Sequence, residues 1–445
     1  MHFCDIFTRQ NTHRVEKLYP YYLKHRLVTT DSRNCPEGSI YFALKGERFD
    51  GNEFAASALQ QGSSLAVVDD PLLKGKPGFY WVPDVLSTLQ ELAAYHRRML
   101  GLKVVGITGS NGKTTTKELM AAVLGTTYKL WFTQGNLNNH IGVPLTLLSI
   151  PADTELAVVE MGANHIGEIA RLCEIAQPDY GLITNVGKAH LEGFGSFEGV
   201  KRAKAELYRY LEREGGKVFV NIDSKALFEM LDGYACELSY GESERAMVHG
   251  FEAVAAPFLS FSWRIKDKPG TYLADTRLTG LYNLENVLAA IAVGVYFDVP
   301  YDKINKALSS YAPSNNRSQM LETGRNKVVL DAYNANPTSM HAALDNFLAM
   351  DKDNKVLILG GMKELGNDSP KEHQVLVERL LKEELPVCYF VGGEFKDIVP
   401  PVKGWLWFES SEILNEYLKA RPLDDALVLV KGSRSNNLET VLESL

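Results

Sequence analysis

Apolar residues fall into short runs that alternate with helical stretches along most of the chain, and the alternation changes character twice. Between residues 41 and 83 the runs 40–44, 65–68 and 79–82 are separated by turns and one helix, which predicts a small N-terminal α/β domain. Residues 86–100 read as a helix leading out of it. The next segment opens with a strand at 104–108, turns through glycine-rich 109–112 and enters a helix at 114–124; further strands are predicted at 156–160, 180–185 and 217–222. Their continuous β-branched runs, set between helices, imply a mostly parallel sheet covered on both faces, a central P-loop-type domain. The last segment repeats the alternation at 328–331, 356–359, 387–391, 405–408 and 427–430 and predicts a C-terminal, Rossmann-like doubly wound domain. The fold class is therefore α/β in three domains, 1–100, 101–313 and 314–445, with boundaries near 98–103 and 312–316.

Composition narrows the class without changing it. A length of 445 residues suits domains of about 150 residues each, and 45% hydrophobic with 23% charged residues is globular rather than disordered. The longest apolar run, 288–297, is too short to span a bilayer, and residues 1–10 lack a basic-then-apolar leader pattern, so a cytoplasmic protein without a membrane span is expected. A net charge of -8 leaves no basic excess for a phosphodiester backbone, so nucleic acid is not an expected partner. Five scattered cysteines without a C-x-x-C pair read as reduced thiols.

Chemistry concentrates at the strand ends. Thr108-Gly-Ser-Asn-Gly-Lys-Thr-Thr115 stands between a strand and a helix, where backbone N–H groups and a helix N-terminus can surround phosphate oxygens. In it Thr108, Gly109, Ser110, Asn111, Gly112, Lys113, Thr114 and Thr115 form a variant phosphate loop, with Ile107 where the usual pattern has its first glycine. Lys113 would meet the β- and γ-phosphates and Thr114 a Mg²⁺ ion, so ATP or GTP use is expected. Glu160 and His190 end two further strand-loop segments; a carboxylate suits Mg²⁺, while His190 reads equally as a hydrogen-bonding loop histidine. At helical spacing Phe197, Val200, Lys204, Leu207 and Leu211 share one side, so Lys204 lies inside an apolar stripe. Such a lysine either snorkels to the surface or has a depressed pKa and is open to modification, for example to a metal-binding carbamate. Lys201 and Arg202 read as solvated.

These residues resemble the ATP-dependent Mur ligases of peptidoglycan synthesis, which use the same Thr-Gly-x-Asn-Gly-Lys-Thr loop, and the resemblance covers nearly the whole chain. Gln134-Gly-Asn-Leu-Asn-Asn-His-Ile-Gly-Val-Pro-Leu-Thr146, Glu160-Met-Gly-Ala-Asn-His165 and Asn185-Val-Gly-Lys-Ala-His-Leu-Glu-Gly-Phe-Gly195 are most similar to the branch that adds D-alanyl-D-alanine to UDP-N-acetylmuramoyl-tripeptide. The resemblance implies an acyl-phosphate amide ligase, a monomer, with Lys113 on phosphate, one Mg²⁺ on Thr114 and Glu160, and a second on His190 and carbamylated Lys204. It implies adenine contacts from Asn283 and Asn286, although Tyr282 replaces the family's histidine; taken alone, both asparagines can equally cap the following helix. Arg317 would reach the γ-phosphate and Asp331 the ribose, with Tyr333 beside the nucleotide. Asn334, Asn336, Ser433 and Arg434 would lie on the acceptor side. Ser32, Arg33, Lys45 and Gly46, with Asn138 and Asn139, would hold the UDP-sugar. Gly361 stands where the family usually has Asp, and Asn436 where an apolar residue is common. The alternatives are the sister ligase that adds a diamino acid to the dipeptide precursor, whose Asp-Asn-Pro-Arg motif is absent here, and a P-loop ATPase or kinase of another substrate.

Overall fold

The computed structural model describes residues 3–188, 191–383, 385 and 387–445. Three α/β sheets follow one another along the chain, and a two-stranded hairpin, Lys45–Gly46 against Phe49–Asp50, stands beside the first. The first has four parallel strands in sequence order, Val28–Thr29, Ile40–Phe42, Leu65–Val68 and Phe79–Trp81, preceded by a helix at Phe3–His25 that the apolar pattern did not signal. Alternation sorts its side chains: Tyr41 and Ala43 pack with Ala55 and Ala58 on one face, while Ile40 and Phe42 turn to the other. That second face joins the core of the next unit, where Val15, Leu18 and Tyr22 meet Leu147 and Leu148.

Helix Val85–Leu100 connects the two units. Asp84 caps its start by accepting from the Ser87 N–H, and Gly101 in the left-handed conformation ends it. Near its end the buried Arg97 guanidinium donates to the carbonyls of Ala176 and Gln177 and to Asp179 Oδ2 at 2.8 Å. Asp179 also accepts from the Val104 N–H at 2.9 Å, which ties this helix to the first central strand.

The central sheet has nine strands, ordered Leu130–Phe132, Leu156–Glu160, Lys103–Thr108, Tyr180–Ile183, Lys217–Asn221, Cys236–Gly241, Val248–Ala255, Phe258–Ile265 and Tyr272–Thr279. All neighbours run parallel up to Val248–Ala255, and the last two strands are added antiparallel. The expected mostly parallel sheet is therefore present, and strands Lys103–Thr108 and Leu156–Glu160 are buried on both faces as their apolar runs imply. The four strands from Cys236 to Thr279 were not anticipated. Phe258–Ile265, for example, alternates buried and exposed residues, with Arg264 and Ser262 interrupting the apolar run.

The last sheet has six strands, ordered Gln319–Glu322, Lys327–Asp331, Leu427–Lys431, Lys355–Gly360, Val387–Val391 and Trp405–Phe408, parallel except for the first pair. Helices Pro337–Ala349 and Ser369–Lys382 cover one face, and Ser411–Ala420 with Leu438–Ser444 the other, so the doubly wound arrangement holds. The closing strand Leu427–Lys431 enters between Lys327–Asp331 and Lys355–Gly360, which opens a crevice at their carboxyl ends. Among the described residues no helix is long and apolar enough to cross a membrane, and Cys35, Cys173, Cys236 and Cys388 are free.

Replacing Asp179 by Ala strands the buried Arg97 charge and should cost about 3 kcal/mol. Urea unfolding checks this as a lower midpoint at unchanged slope, whereas an unchanged midpoint would show that the two carbonyls alone satisfy Arg97.

Candidate active site

Strand Lys103–Thr108 runs into the loop, and helix Lys113–Leu124 leaves it. Two glycines are required there. Gly109 has φ 148°, and a Cβ on it would lie 1.9 Å from Thr184 Oγ1; Gly112 has φ 78°, and its Cβ would meet Asn286 Oδ1 at 2.3 Å. The loop is pinned to the segment after strand Tyr180–Ile183. The Ser110 N–H donates to the Asn185 carbonyl at 3.0 Å, the Asn111 N–H to Asn185 Oδ1 at 2.9 Å, and Thr184 Oγ1 to the Asn111 carbonyl at 2.5 Å. Lys113 folds back so that Nζ donates to the carbonyls of Gly109 at 2.7 Å and Ser110 at 3.2 Å. Burial pushes its ammonium below the ordinary lysine range; Glu160 opposes the shift and Arg317 adds to it.

Glu160 ends strand Leu156–Glu160 as a buried carboxylate. Its Oε1 accepts from Asn138 Nδ2 at 2.8 Å and Thr114 Oγ1 at 3.3 Å. Its Oε2 has no hydrogen-bond donor and lies 3.6 Å from the ammonium of Lys117, itself only 1% exposed. Sequence reasoning passed over Lys117, although Lys117, Met120 and Leu124 form a helical stripe of the kind that singled out Lys204.

Lys204 does not snorkel. Within helix Phe197–Glu214 it is 1% exposed beside Val200, Leu207 and Leu211, and its ammonium lies 5.4 Å from the Phe194 ring centre. Phe197, expected on the same stripe, is instead 41% exposed at the helix start. Burial lowers the Lys204 pKa to about 7, with the Lys113 charge adding to the effect. Its neighbour Glu206, also missed, accepts from the N–H groups of Gly167 and Ala170 and so holds the start of helix Glu168–Ala176. His190 lies outside the described residues.

The asparagines 283 and 286 do not cap their helix. Asn283 Nδ2 donates to the Thr279 carbonyl, Asn286 Nδ2 to Asn283 Oδ1 at 2.9 Å, and Thr116 Oγ1 to Asn286 Oδ1 at 3.0 Å, a buried relay that locks the loop's helix to helix Leu284–Tyr296. From the last unit Arg317 lies 3.7 Å over the Tyr333 ring with its Nε buried and unpartnered, and Arg434 approaches the same ring at 5.4 Å. Asp331 pairs with Lys431 at 2.5 Å. Asn336 caps helix Pro337–Ala349 together with Ser339, and its Nδ2 reaches across to Asn111 Oδ1 at 2.7 Å.

One cleft of about 890 Å³ collects most of these groups: Ser110 to Thr115, Asn138, Asn139, Glu160, Asn283, Asn286, Arg317, Asp331, Tyr333, Asn334 and Asn336. Thr108 and Gly109 do not line it, nor do Lys204, Ser433 and Arg434. Ser433 Oγ instead accepts from the Lys363 N–H at 3.0 Å. Ser32, Arg33, Lys45 and Gly46 sit apart on the first unit, where Arg33 grips Asp31 and holds its carboxyl down at about 2, and Lys45 pairs with Asp69 at 2.9 Å.

Three family models match: the Mur ligase middle domain over residues 107–294, the Mur ligase glutamate ligase domain over 316–434, and the Mur ligase family catalytic domain over 24–123. A UDP-N-acetylmuramoyl-tripeptide--D-alanyl-D-alanine ligase of Bacillus subtilis is 34% identical over 94% of this chain and 92% of its own. The ligase of the same name from Escherichia coli is 34% identical over 94% and 93%. Among solved structures, MurF from Acinetobacter baumannii aligns with a TM-score of 0.85 at 32% identity, covering 94% of this chain and 92% of that one. MurF ligase from Thermotoga maritima, in complex with ADP, aligns at 0.83 with 29% identity over 94% and 96%.

Between about pH 7 and the ordinary lysine value of 10.5, the folded chain holds fewer protons at Lys204 than the unfolded chain, so stability should rise with pH across that window. Lys204→Met should remove the rise and stabilise the protein by about 2 kcal/mol near neutrality. Denaturant titrations of both proteins across the window, in buffer freed of carbon dioxide so that the amine stays unmodified, check the sign.

Proposed function

The chain belongs to the Mur ligase family, and from that premise we propose that it is the ATP-dependent ligase joining D-alanyl-D-alanine to UDP-N-acetylmuramoyl-tripeptide in peptidoglycan synthesis, acting in the cytoplasm as a monomer in three domains, 1–100, 101–313 and 314–445. The observation that carries this reading is the convergence on one cleft of the phosphate loop, the Glu160 carboxylate and the Arg317 and Asp331 side chains from the following unit.

The tripeptide carboxylate attacks the γ-phosphorus of ATP; the bond to the β-bridging oxygen breaks, ADP leaves, and an acyl phosphate forms. The amine of D-alanyl-D-alanine then attacks the acyl carbon, the carbon–oxygen bond to phosphate breaks, and the amine nitrogen gives up a proton. Lys113 exchanges the carbonyls of Gly109 and Ser110 for phosphate oxygens. Arg317, held flat on Tyr333 with a free Nε–H, faces the charge that develops on the transferred phosphoryl group. Asn283 and Asn286 flank the adenine, and Asp331 faces the ribose. Asn334, Asn336, Ser433 and Arg434 form the acceptor side, and Ser32, Arg33, Lys45, Gly46, Asn138 and Asn139 the UDP-sugar side. The Asn111–Asn336 contact closes the last unit over the loop, which protects the acyl phosphate from water.

Thr114 Oγ1 and Glu160, with its buried Oε2 lacking a hydrogen-bond donor, are hard oxygen ligands that fit Mg²⁺. Bound there, Mg²⁺ offsets phosphate charge. A carbamate on Lys204, together with His190, would hold a second ion. The Lys204 amine, lowered to about 7, can attack CO₂ with loss of a proton, and the carbamate replaces a buried cation by an anion beside Lys113.

Phosphate release from Mg-ATP should require both peptide substrates and yield the UDP-pentapeptide by mass, and Lys113→Met should lower it by about 100-fold or more. Release indifferent to both substrates would overturn the ligase reading in favour of another ATPase. Protein equilibrated with ¹³C-bicarbonate should give a carbamate carbon resonance that is absent from Lys204→Arg; equal spectra would remove the carbamate.

A further inference from the structure

Lys117 and Glu160 form an ion pair beneath the phosphate loop, 3.6 Å apart and nearly inaccessible, at 1% and 2% side-chain exposure. Nothing in the reaction above uses Lys117. Its ammonium also lies 5.8 Å from the Phe132 ring centre, so it is packed in place and not swinging in solvent. A carboxylate whose charge is already offset by an adjacent ammonium is a weak ligand for a free divalent ion, because the ion must be desolvated against a local charge near zero.

A second observation lies in the donors: Thr114 Oγ1 and the Glu160 carboxylate bring a single negative charge, and Mg²⁺ held by so few carboxylates ordinarily takes further ligands from substrate phosphates and water. Lys113 and Arg317 line the same cleft and add positive charge around it. The missing negative charge and the missing oxygens are what a nucleoside triphosphate supplies.

We propose that Lys117 neutralises Glu160 in the nucleotide-free protein, so that the site takes a divalent cation only together with a nucleoside polyphosphate and never ahead of it. Lys117 is thus a charge-setting residue that acts through Glu160 and touches neither substrate. The fixed cation keeps the carboxylate from capturing an ion that would occupy the loop without its nucleotide. The inference rests on the placement of the metal at Glu160, and it is read by metal binding and not by turnover, so a failure of the ligase reading would leave it standing or falling on its own.

The experiment is a Mn²⁺ titration followed by electron paramagnetic resonance, on the full chain with and without ADP. The wild-type protein should bind Mn²⁺ at this site only when ADP is present, and Glu160→Gln should weaken that binding. Lys117→Met, and Lys117→Gln as the variant that keeps a donor toward Glu160, should acquire a nucleotide-independent Mn²⁺ site at least about tenfold tighter than the wild type. That site should vanish when Glu160→Gln is added, and Lys117→Arg should behave as the wild type does. Tight stoichiometric Mn²⁺ binding by nucleotide-free wild type that Glu160→Gln abolishes would overturn the proposal, as would Lys117→Gln binding no tighter than wild type without ADP. ADP-dependent binding unaffected by Glu160→Gln would instead overturn the metal assignment on which the proposal rests.

Discussion

Burying an ammonium group in a protein interior costs several kcal/mol unless something nearby offsets its charge, and around the phosphate loop this chain buries Lys117 and Lys204 outright. Lys113 and Arg317 stand over the same ground. The carboxylate of Glu160 sits at the centre, engaged by Thr114 and Lys117 from one helix and by Asn138 from a loop. Burial depresses the amines of Lys113 and Lys204, and the neighbouring cations add to the effect. A polyanionic substrate is the natural completion of such a site, since it relieves a repulsion that the rest of the fold has to hold in check.

The sheets serve that arrangement in different ways. Parallel strands deliver Thr108, Glu160 and Thr184 to one edge, where the Asn185 contacts hold the backbone of the loop. The last unit delivers Asp331 and Lys431 from adjacent strands, already paired, and Asn336 from the start of a capped helix. Its attachment to the centre is polar: the Asn111–Asn336 contact, the Lys188–Glu372 ion pair at 2.9 Å and the Tyr282–Ser318 hydrogen bond. Such contacts exchange readily with water, so this junction is easier to part than an apolar one.

Much of this was legible in the sequence where one rule dominates. Doubly buried strands such as Leu156–Glu160 announce themselves as apolar runs, and the loop at Gly109 and Gly112 carries a demand that only glycine meets. Lys204 was visible because helical periodicity placed a charge where none belongs. The same test applied to helix Lys113–Leu124 would have found Lys117, but the motif beside it drew the reading to the phosphate side of the helix. The strands from Cys236 to Thr279 were illegible because edge positions exposed on one face mix Ser, Arg and Asp into the apolar pattern. The relay from Thr116 through Asn286 to Asn283 joins residues up to 170 positions apart, and only the packing of two helices reveals it.

The two joints between the three sheets are built from different materials. Tyr22 donates to the Leu148 carbonyl at 2.6 Å and packs, with Leu18, Ile40 and Phe42, into the same apolar core as Leu147 and Val159. The last sheet keeps two cores of its own, separate from the central ones. The first unit is therefore welded to the centre and shares its cooperativity, while the last is a self-contained cassette hung on polar fasteners. In a recombination experiment the final segment is the one that chain exchange could swap between relatives, and the first could be moved only together with the wall it is fused to.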